Sequence, residues 1–436
     1  MLFPDGKSYK YLERRTAYVI QKCRRDVSVP GFHKKKLSVY IPGGDNKYPS
    51  FWIRDAVMQC RSGFISFDEM KTLLDVILYF QNGPEYRKLA HNLCVTPWAI
   101  PDHINLPGLG TEEFQRTYSP GPVFYPGTYS TSDDQGNGSF GLRPADDDIY
   151  EVINLAYLVC LSEVAQPTKL LKTSIKEVSI IERLHFGFQS VPVDKVTGLH
   201  WNTPLNWSAS NFHDALRPMG AVALTSVLRF RAARQMAELF RLKGEREKEE
   251  EYLHIAENLK KCIQKTFQRD DGWLVCATMV NRQPDTWSTG MACYYGVLEE
   301  DYFTAACEAL LKSCRDGSLC INGYLRHTPV WADHIPGEVV WEDSRMEENR
   351  IYGIYQNGGY WPQPLGYVCW SIAQIDKKYA TRVAIEFIEH TQRFEDDGAP
   401  FEWINPSVLK ERPGDGKWYG PSASLPLEGF RRLSKS

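Results

Sequence analysis

The chain has no Cys-x-x-Cys pair, no His-Glu-x-x-His and no glycine-rich loop following a strand. Neither a zinc finger, a zinc-protease motif nor a phosphate cradle is signalled, and the expectation is chemistry without a metal or other cofactor. The 11 cysteines are scattered singly, most of them inside apolar helical patterns where a thiol behaves as a small hydrophobe, so no disulfide framework is indicated either. No apolar run approaches the roughly 20 residues of a membrane span, and the opening MLFPDGKSYKYLERRT lacks the apolar core of a secretion signal. A soluble, cytoplasmic chain with no membrane partner is expected. Charge of one sign is also missing: 51 basic residues stand against 54 acidic ones, a formal net charge of −3, which leaves nucleic acid a disfavoured partner.

What is present is material for a large core, 43% hydrophobic residues over 436 positions. Residues 1–50 mix a short β-like run (LSVYIPG) with turns and are expected to be an N-terminal extension, a lid or an entry helix. From 51 to 436 the chain settles into helical segments separated by loops rich in Gly, Pro, Trp and Asp. Helices are expected over Asp68 to Phe80, Ile149 to Glu163, Met219 to Leu242, Glu245 to Phe267, Tyr302 to Cys314, and Val368 to Phe394 with a break near Asp376. Few strands are convincing and no fixed-length repeat is visible. The fold class is therefore all-α, a toroid of helical hairpins whose loops meet at one end.

Those loops carry the unusual residues: Phe51-Trp-Ile-Arg-Asp-Ala, Pro144-Ala-Asp-Asp-Asp, His200-Trp-Asn-Thr-Pro-Leu-Asn-Trp, Phe212-His-Asp-Ala, Pro284-Asp-Thr-Trp, the stretch from Glu338 to Pro364, and Phe401-Glu-Trp-Ile-Asn-Pro. Each sets a carboxylate or amide beside an aromatic. A charged group next to large apolar ones is costly unless solvated or paired, so its recurrence suggests converging walls of one polar, aromatic-lined pocket. In the competing reading each acid only caps the helix after it; Asp146, Asp147 and Asp148, directly before a helix, are the plainest case. Gly358-Gly359 and the prolines make Tyr355 to Pro364 an expected surface loop, with Tyr360 and Trp361 beside Gln356, Asn357 and Gln363. Aromatic faces next to amides suit a sugar, whose ring is apolar on its faces and rich in hydroxyls at its edge.

At these motifs the chain resembles the six-hairpin glycosidases, (α/α)6 toroids that include trehalases, glucoamylases and processing α-glucosidases. The resemblance runs from Arg54 to Leu427 and rests on short motifs in order. FWIRDA resembles the loop in which an Arg-Asp pair, here Arg54 and Asp55, holds the hydroxyls of the sugar being cleaved. YQNGGYWPQP resembles a loop lining the sugar pocket, and PFEWINP, followed by Trp418-Tyr-Gly-Pro, resembles the segment that carries the catalytic base. That maps the base to Glu402. Relatives carry the acid in a Gly-Trp-Asp-x-Ser motif, but here Asn206-Trp207-Ser208 has no carboxylate. Asp214 is then the nearest candidate acid, with Glu342, Glu347 and Asp148 behind it.

Such a pair implies cleavage of a glycosidic bond, one carboxyl group assisting the leaving oxygen and the other activating water; the superfamily mostly inverts. The implied substrate is an oligosaccharide or glycoside with a terminal α-linked glucose-like unit, held by Trp52, Arg54, Asp55, Asp147, Asp148, Trp201, Trp207, His213, Glu342, Glu347, Gln356, Asn357, Tyr360, Trp361, Gln363 and Trp403. Against this stand three other readings. Arg54 and Asp55 form a buried ion pair that only pins the first hairpin; the histidines His213, His327 and His334 serve a sugar isomerase or lyase on the same toroid; or the protein binds carbohydrate without turning it over.

Overall fold

A computed structural model describes residues 6–32, 36–126, 129–130, 134–135, 142–162, 164, 166–203, 212–213, 218–332, 355–356, 358–408 and 413–435. Its main helices are α1 (Lys7–Cys23), α2 (Ile53–Cys60), α3 (Phe67–Phe80), α4 (Asp148–Cys160), α5 (Ile180–Ser190), α6 (Ala223–Lys243), α7 (Arg246–Phe267), α8 (Thr286–Tyr295), α9 (Glu300–Arg315), α10 (Leu365–Ile372), α11 (Lys377–Arg393) and α12 (Gly420–Lys435). The even-numbered helices touch in a closed circuit, α2 to α4, α6, α8, α10, α12 and back to α2. The odd-numbered ones pack outside them, each against one or more of the even-numbered helices. This is an (α/α)6 toroid of six hairpins, as expected. No helix among the described residues is long and apolar enough to cross a membrane.

The outer helices form for reasons visible in sequence. Ser66 caps α3 and exchanges bonds with Glu69 in a capping box, and Leu73, Leu74 and Ile77 line the buried face. α7 buries Tyr252, Ala256, Leu259, Ile263 and Phe267 at three- and four-residue spacing and leaves its charged side to water. The break between α10 and α11 falls where expected, with Asp376 capping α11 through the amide of Tyr379 at 2.9 Å.

Inner helices obey different physics because neighbours surround them. α6 is buried along nearly its whole length, and its polar side chains find partners in the wall: Arg231 pairs with Glu151 at 2.8 Å, Gln235 donates to Asn154 at 2.7 Å, and Arg229 donates to the Tyr150 hydroxyl at 3.0 Å. These bonds stitch α6 to α4. Between α10 and α12 the contact is closest, since a Cβ added at Gly429 would meet the Gly366 Cα at 2.3 Å. Only two glycines allow that approach.

Several expectations need correction. The segment Met219 to Val222 is not helical; Gly220–Ala221 pairs antiparallel with Trp201–Asn202, and α6 begins at Ala223. The motif read as a loop at Phe51 is a strand, Phe51–Trp52, running straight into the first turn of α2. In residues 1–50, where an entry helix was one of the expectations, α1 packs on α11 and α12, with Arg15 donating to the Ala399 carbonyl at 2.9 Å. The described part of Tyr355 to Pro364 is a largely buried segment, not a surface loop: Tyr360–Trp361 joins a sheet with Tyr324–Arg326, and the Tyr360 amide bonds the Ile404 carbonyl at 2.9 Å. All 11 cysteines are free, and most are buried.

Gly429→Ala is expected to lower stability by about 1–3 kcal/mol, the usual cost of overpacking, because α10 and α12 must separate. Denaturant unfolding measures it; an unchanged midpoint would mean that the crossing is looser than described.

Candidate active site

The N-termini of the inner helices all face one end of the toroid, and the polar loop residues gather there. α2 starts with Arg54 and Asp55, α4 with Asp148, and α12 follows directly on Tyr419. Helix N-termini carry unsatisfied N–H groups and partial positive charge, which favours carboxylates at this end.

Glu402 stands on the chain between α11 and α12 and is 2% exposed. Its backbone is fixed on both sides: its amide bonds the carbonyls of Asp415 at 2.8 Å and Gly416 at 2.9 Å, and Gln363 donates to its carbonyl at 3.1 Å. Gly416 has φ +62°, and a Cβ there would lie 2.6 Å from the Glu402 Cβ, so the close approach requires glycine. The Tyr48 hydroxyl reaches both carboxylate oxygens, at 2.9 and 2.7 Å. Lys47 stands 3.4 Å from Glu402 and 3.0 Å from Asp415. Burial pushes the Glu402 carboxyl up to about 7, outweighing Lys47 and Tyr48, which pull the other way.

A narrow cavity of about 60 Å³ opens beside it, lined by Pro42, Tyr48, Trp52, Arg54, Asp55, Phe212, Tyr355, Glu402 and Tyr419. Trp52 stacks on His103 at 4.2 Å between centroids, and Tyr48 meets Trp52 and Tyr419 edge-on. Asp55 accepts from the Tyr419 hydroxyl at 2.6 Å, and burial raises its carboxyl to about 6.

Arg54 lines the cavity, yet its fork points into the wall. One terminal nitrogen holds both oxygens of Asp147, at 3.1 and 3.0 Å, and the other holds Asp102 at 3.2 Å. No bond to Asp55 forms. The guanidinium therefore ties α2 to the start of α4, which agrees with the ion-pair reading except that Asp147 and Asp102 are the partners. Capping is not what the acids before α4 do: Asp147 makes no side-chain cap bond, and Asp146 pairs with Arg143 at 2.9 Å. Burial raises Asp147 to about 7 and Asp148 well above the ordinary carboxylate range. Neither oxygen of Asp148, which is fully buried, has a hydrogen-bond partner among the described residues.

Other expected site residues lie in the wall rather than on the cavity. Trp361 is fully buried and donates to the Tyr355 carbonyl at 3.2 Å; Gln356 donates to the Phe212 carbonyl at 2.6 Å; Gln363 supports Glu402 from behind. Tyr360 packs over Arg326, and Trp403, 6% exposed, meets Tyr355 edge-on. Trp201 lies in its strand opposite Ala221, away from the cavity lining. His213 is buried against Asp285, and Asp285 itself caps α8 through the Ser288 amide at 2.6 Å, as the capping reading had it. Asp214, Trp207, Glu342, Glu347, Asn357 and His334 lie outside the described residues. Sequence reasoning missed Lys47, Tyr48, Asp102, Asp415 and Tyr419; of these only Tyr419, inside the Trp418-Tyr-Gly-Pro segment, had a visible signal.

A wider cavity of about 510 Å³ lies where α2, α8 and α12 end, lined by Arg61, Arg231, Arg234 and Arg432 among others. Its arginines are largely matched, Arg61 by Glu428 at 2.6 Å and Arg231 by Glu151 at 2.8 Å. Size alone does not make it the reactive end.

No protein-family model and no curated protein sequence matches the chain. Solved structures do. A rhamnosidase from Klebsiella oxytoca with rhamnose bound superposes with a TM-score of 0.56 at 12% identity over 98% of this chain, which spans 64% of that protein's length. The GH76 alpha-mannanase of Bacteroides thetaiotaomicron gives 0.51 at 13% identity, covering 100% of this chain and 99% of its own. The GH63 mannosylglycerate hydrolase from Thermus thermophilus, in complex with Tris, gives 0.51 at 12% identity, covering 96% and 100%. At such identities the likeness establishes the fold.

Removing Arg54 strands buried carboxylates, so Arg54→Ala is expected to cost about 3–5 kcal/mol in denaturant unfolding. A second expectation concerns pH. Asp55, Asp147 and Glu402 bind their protons more tightly folded than unfolded. Their stabilising effect is complete below the ordinary carboxylate range and is lost as pH rises through about 6 to 7. The thermal midpoint should fall between about pH 5 and pH 8, and Glu402→Gln should flatten part of that fall.

Proposed function

We propose that the protein is a glycoside hydrolase acting on an oligosaccharide or glycoside, with Glu402 as general base. The observation that carries this reading is the Glu402 carboxyl, buried yet lining a cavity walled by Trp52, Tyr48, Tyr355 and Tyr419, with a raised pKa and two supporting polar neighbours. Aromatic faces offer the apolar side of a sugar ring a platform, and Asp55 offers its hydroxyl edge an acceptor. The cavity is several times what one water needs, so a nucleophilic water has room beside the base. All three structural neighbours are named for sugar substrates, which supports the same class.

The acid of this reading is Asp214. Phe212, two positions before it in the sequence, lines the cavity. A second reading makes Asp148 the acid, favoured by its buried carboxyl, which has no hydrogen-bond partner among the described residues and which burial raises well above the ordinary carboxylate range. In either case the base activates water across the sugar from the acid, the reaction inverts, and the substrate carries a terminal α-linked glucose-like unit, as the resemblance to the six-hairpin glycosidases implies. An isomerase using histidines is disfavoured because neither His213 nor His327 lines the cavity.

The test is hydrolysis of α- and β-linked disaccharides and aryl glycosides by wild type, Glu402→Gln, Asp214→Asn and Asp148→Asn, each checked for folding by circular dichroism. Glu402→Gln should lose about 10²–10⁴-fold in kcat/KM, and Asp214→Asn a similar amount. A fully active Asp214→Asn with an inactive Asp148→Asn moves the acid to Asp148. Because the base must be ionised, kcat/KM should fall as pH drops through about 7. NMR of the first-formed anomer reads inversion directly. A folded wild type that binds sugars but cleaves nothing on the panel would overturn the hydrolase reading.

A further inference from the structure

A second cluster lies behind the cavity wall. His213, Asp285 and His327 are all buried, and one ligating atom from each falls within 4.8 Å of the others. Nε2 of His213 is 3.1 Å from Oδ1 of Asp285, and the two imidazole centroids are 4.9 Å apart. The other oxygen of Asp285 is held by the amide and hydroxyl of Ser288, which fixes the carboxylate with Oδ1 toward the histidines. His213 Nδ1 lies 3.7 Å from the sulfur of Cys276, a contact that orients its ring and leaves Nε2 for the cluster.

His327 is the member that needs explaining. It is 3% exposed, and neither ring nitrogen has a hydrogen-bond partner among the described residues. Buried polar groups are nearly always bonded, so two orphaned nitrogens on a ring facing another imidazole and a carboxylate suggest that a ligand completes the set. Burial, reinforced by His213 and Arg326, holds His327 well below its ordinary pKa, and a neutral imidazole is the form that binds metals.

We propose that His213, Asp285 and His327 bind a divalent transition-metal ion of the zinc class. Two imidazoles and one carboxylate are the donor set such ions take, and an outer contact on the second nitrogen of a ligating histidine is characteristic. The positive N-terminus of α8 and Arg326 oppose a cation here, so imidazole and carboxylate coordination must outweigh them. The ion would link residues 212–213, the start of α8 and the end of the strand Tyr324–Arg326. Phe212 lines the cavity, while Trp361 and Trp287 pack against His327, so the ion holds the wall and does not touch substrate. The proposal does not depend on the hydrolase reading.

The experiment uses the full chain, stripped of metal with a chelator and titrated with Co²⁺, followed by visible absorption and by competition with Zn²⁺. One equivalent of Co²⁺ with tetrahedral bands, displaced by one equivalent of Zn²⁺, is expected, together with a rise in the thermal midpoint on adding Zn²⁺. His327→Gln removes a ring that makes no hydrogen bond and should fold. It should weaken Co²⁺ binding at least about tenfold, as should His213→Gln, while Asp415→Asn leaves it unchanged. Folded wild type that takes up no stoichiometric Co²⁺ or Zn²⁺, or uptake unaltered in both histidine variants, overturns the site.

Discussion

Arg54 is the charge on which the polar end of the toroid depends. One guanidinium sits among Asp55, Asp102, Asp147 and Asp148, every one of them buried. A single positive charge cannot keep four carboxylates ionised in a dry interior, so the group shares its compensation unequally. Asp147 and Asp102 take the hydrogen bonds, Asp55 is left with Tyr419, and Asp148 is left with none. Burial then raises Asp55, Asp147 and Asp148 alike, against the pull of the one guanidinium. Protonated carboxyls near neutral pH are thus a consequence of how many cations the wall contains.

That arrangement also bears on why the candidate site residues lie at this end. A carboxylate brought to a helix N-terminus meets N–H groups without partners, and the inner ring presents several such ends together. The wide cavity at the other end is lined by arginines and glutamates together, with Arg432 donating to the Tyr294 carbonyl. The raised carboxyls Asp55, Asp147, Asp148 and Glu402 gather at the end where α2, α4 and α12 begin.

How much of this was legible depends on which surface a helix keeps. α3, α7, α9 and α11 expose a polar side, so their period shows and their limits were read within a few residues. α8 and α12 are enclosed. The run TWSTGMACYY has no charge to mark a face, and Pro421 and Pro426 make α12 look like a loop although it is a helix. Glu402 and Asp55 were found through short motifs, but Lys47 and Tyr48 were not. They reach Glu402 from more than 350 positions away, a pairing created by closure of the ring between its first hairpin and its last. Residues in YQNGGYWPQP were expected on the surface because Gly and Pro break helices. They do break it, but the freed backbone bonds to Ile404 and turns inward, which composition does not reveal.

The energetics of Glu402 argue that its place is functional. A carboxyl whose pKa rises on folding costs stability at neutral pH, and an amide or apolar side chain of similar size would avoid that cost. The chain nevertheless fixes it with two amide-bond contacts, a glycine at positive φ, a tyrosine spanning both oxygens and a lysine shared with Asp415. Lys47 and Tyr48 favour the ionised form and burial the protonated one, and the balance falls near neutrality. A purely structural carboxylate would gain from tipping that balance fully towards the lysine. One held at the midpoint can take a proton from water and give it up again, which is the requirement on a general base.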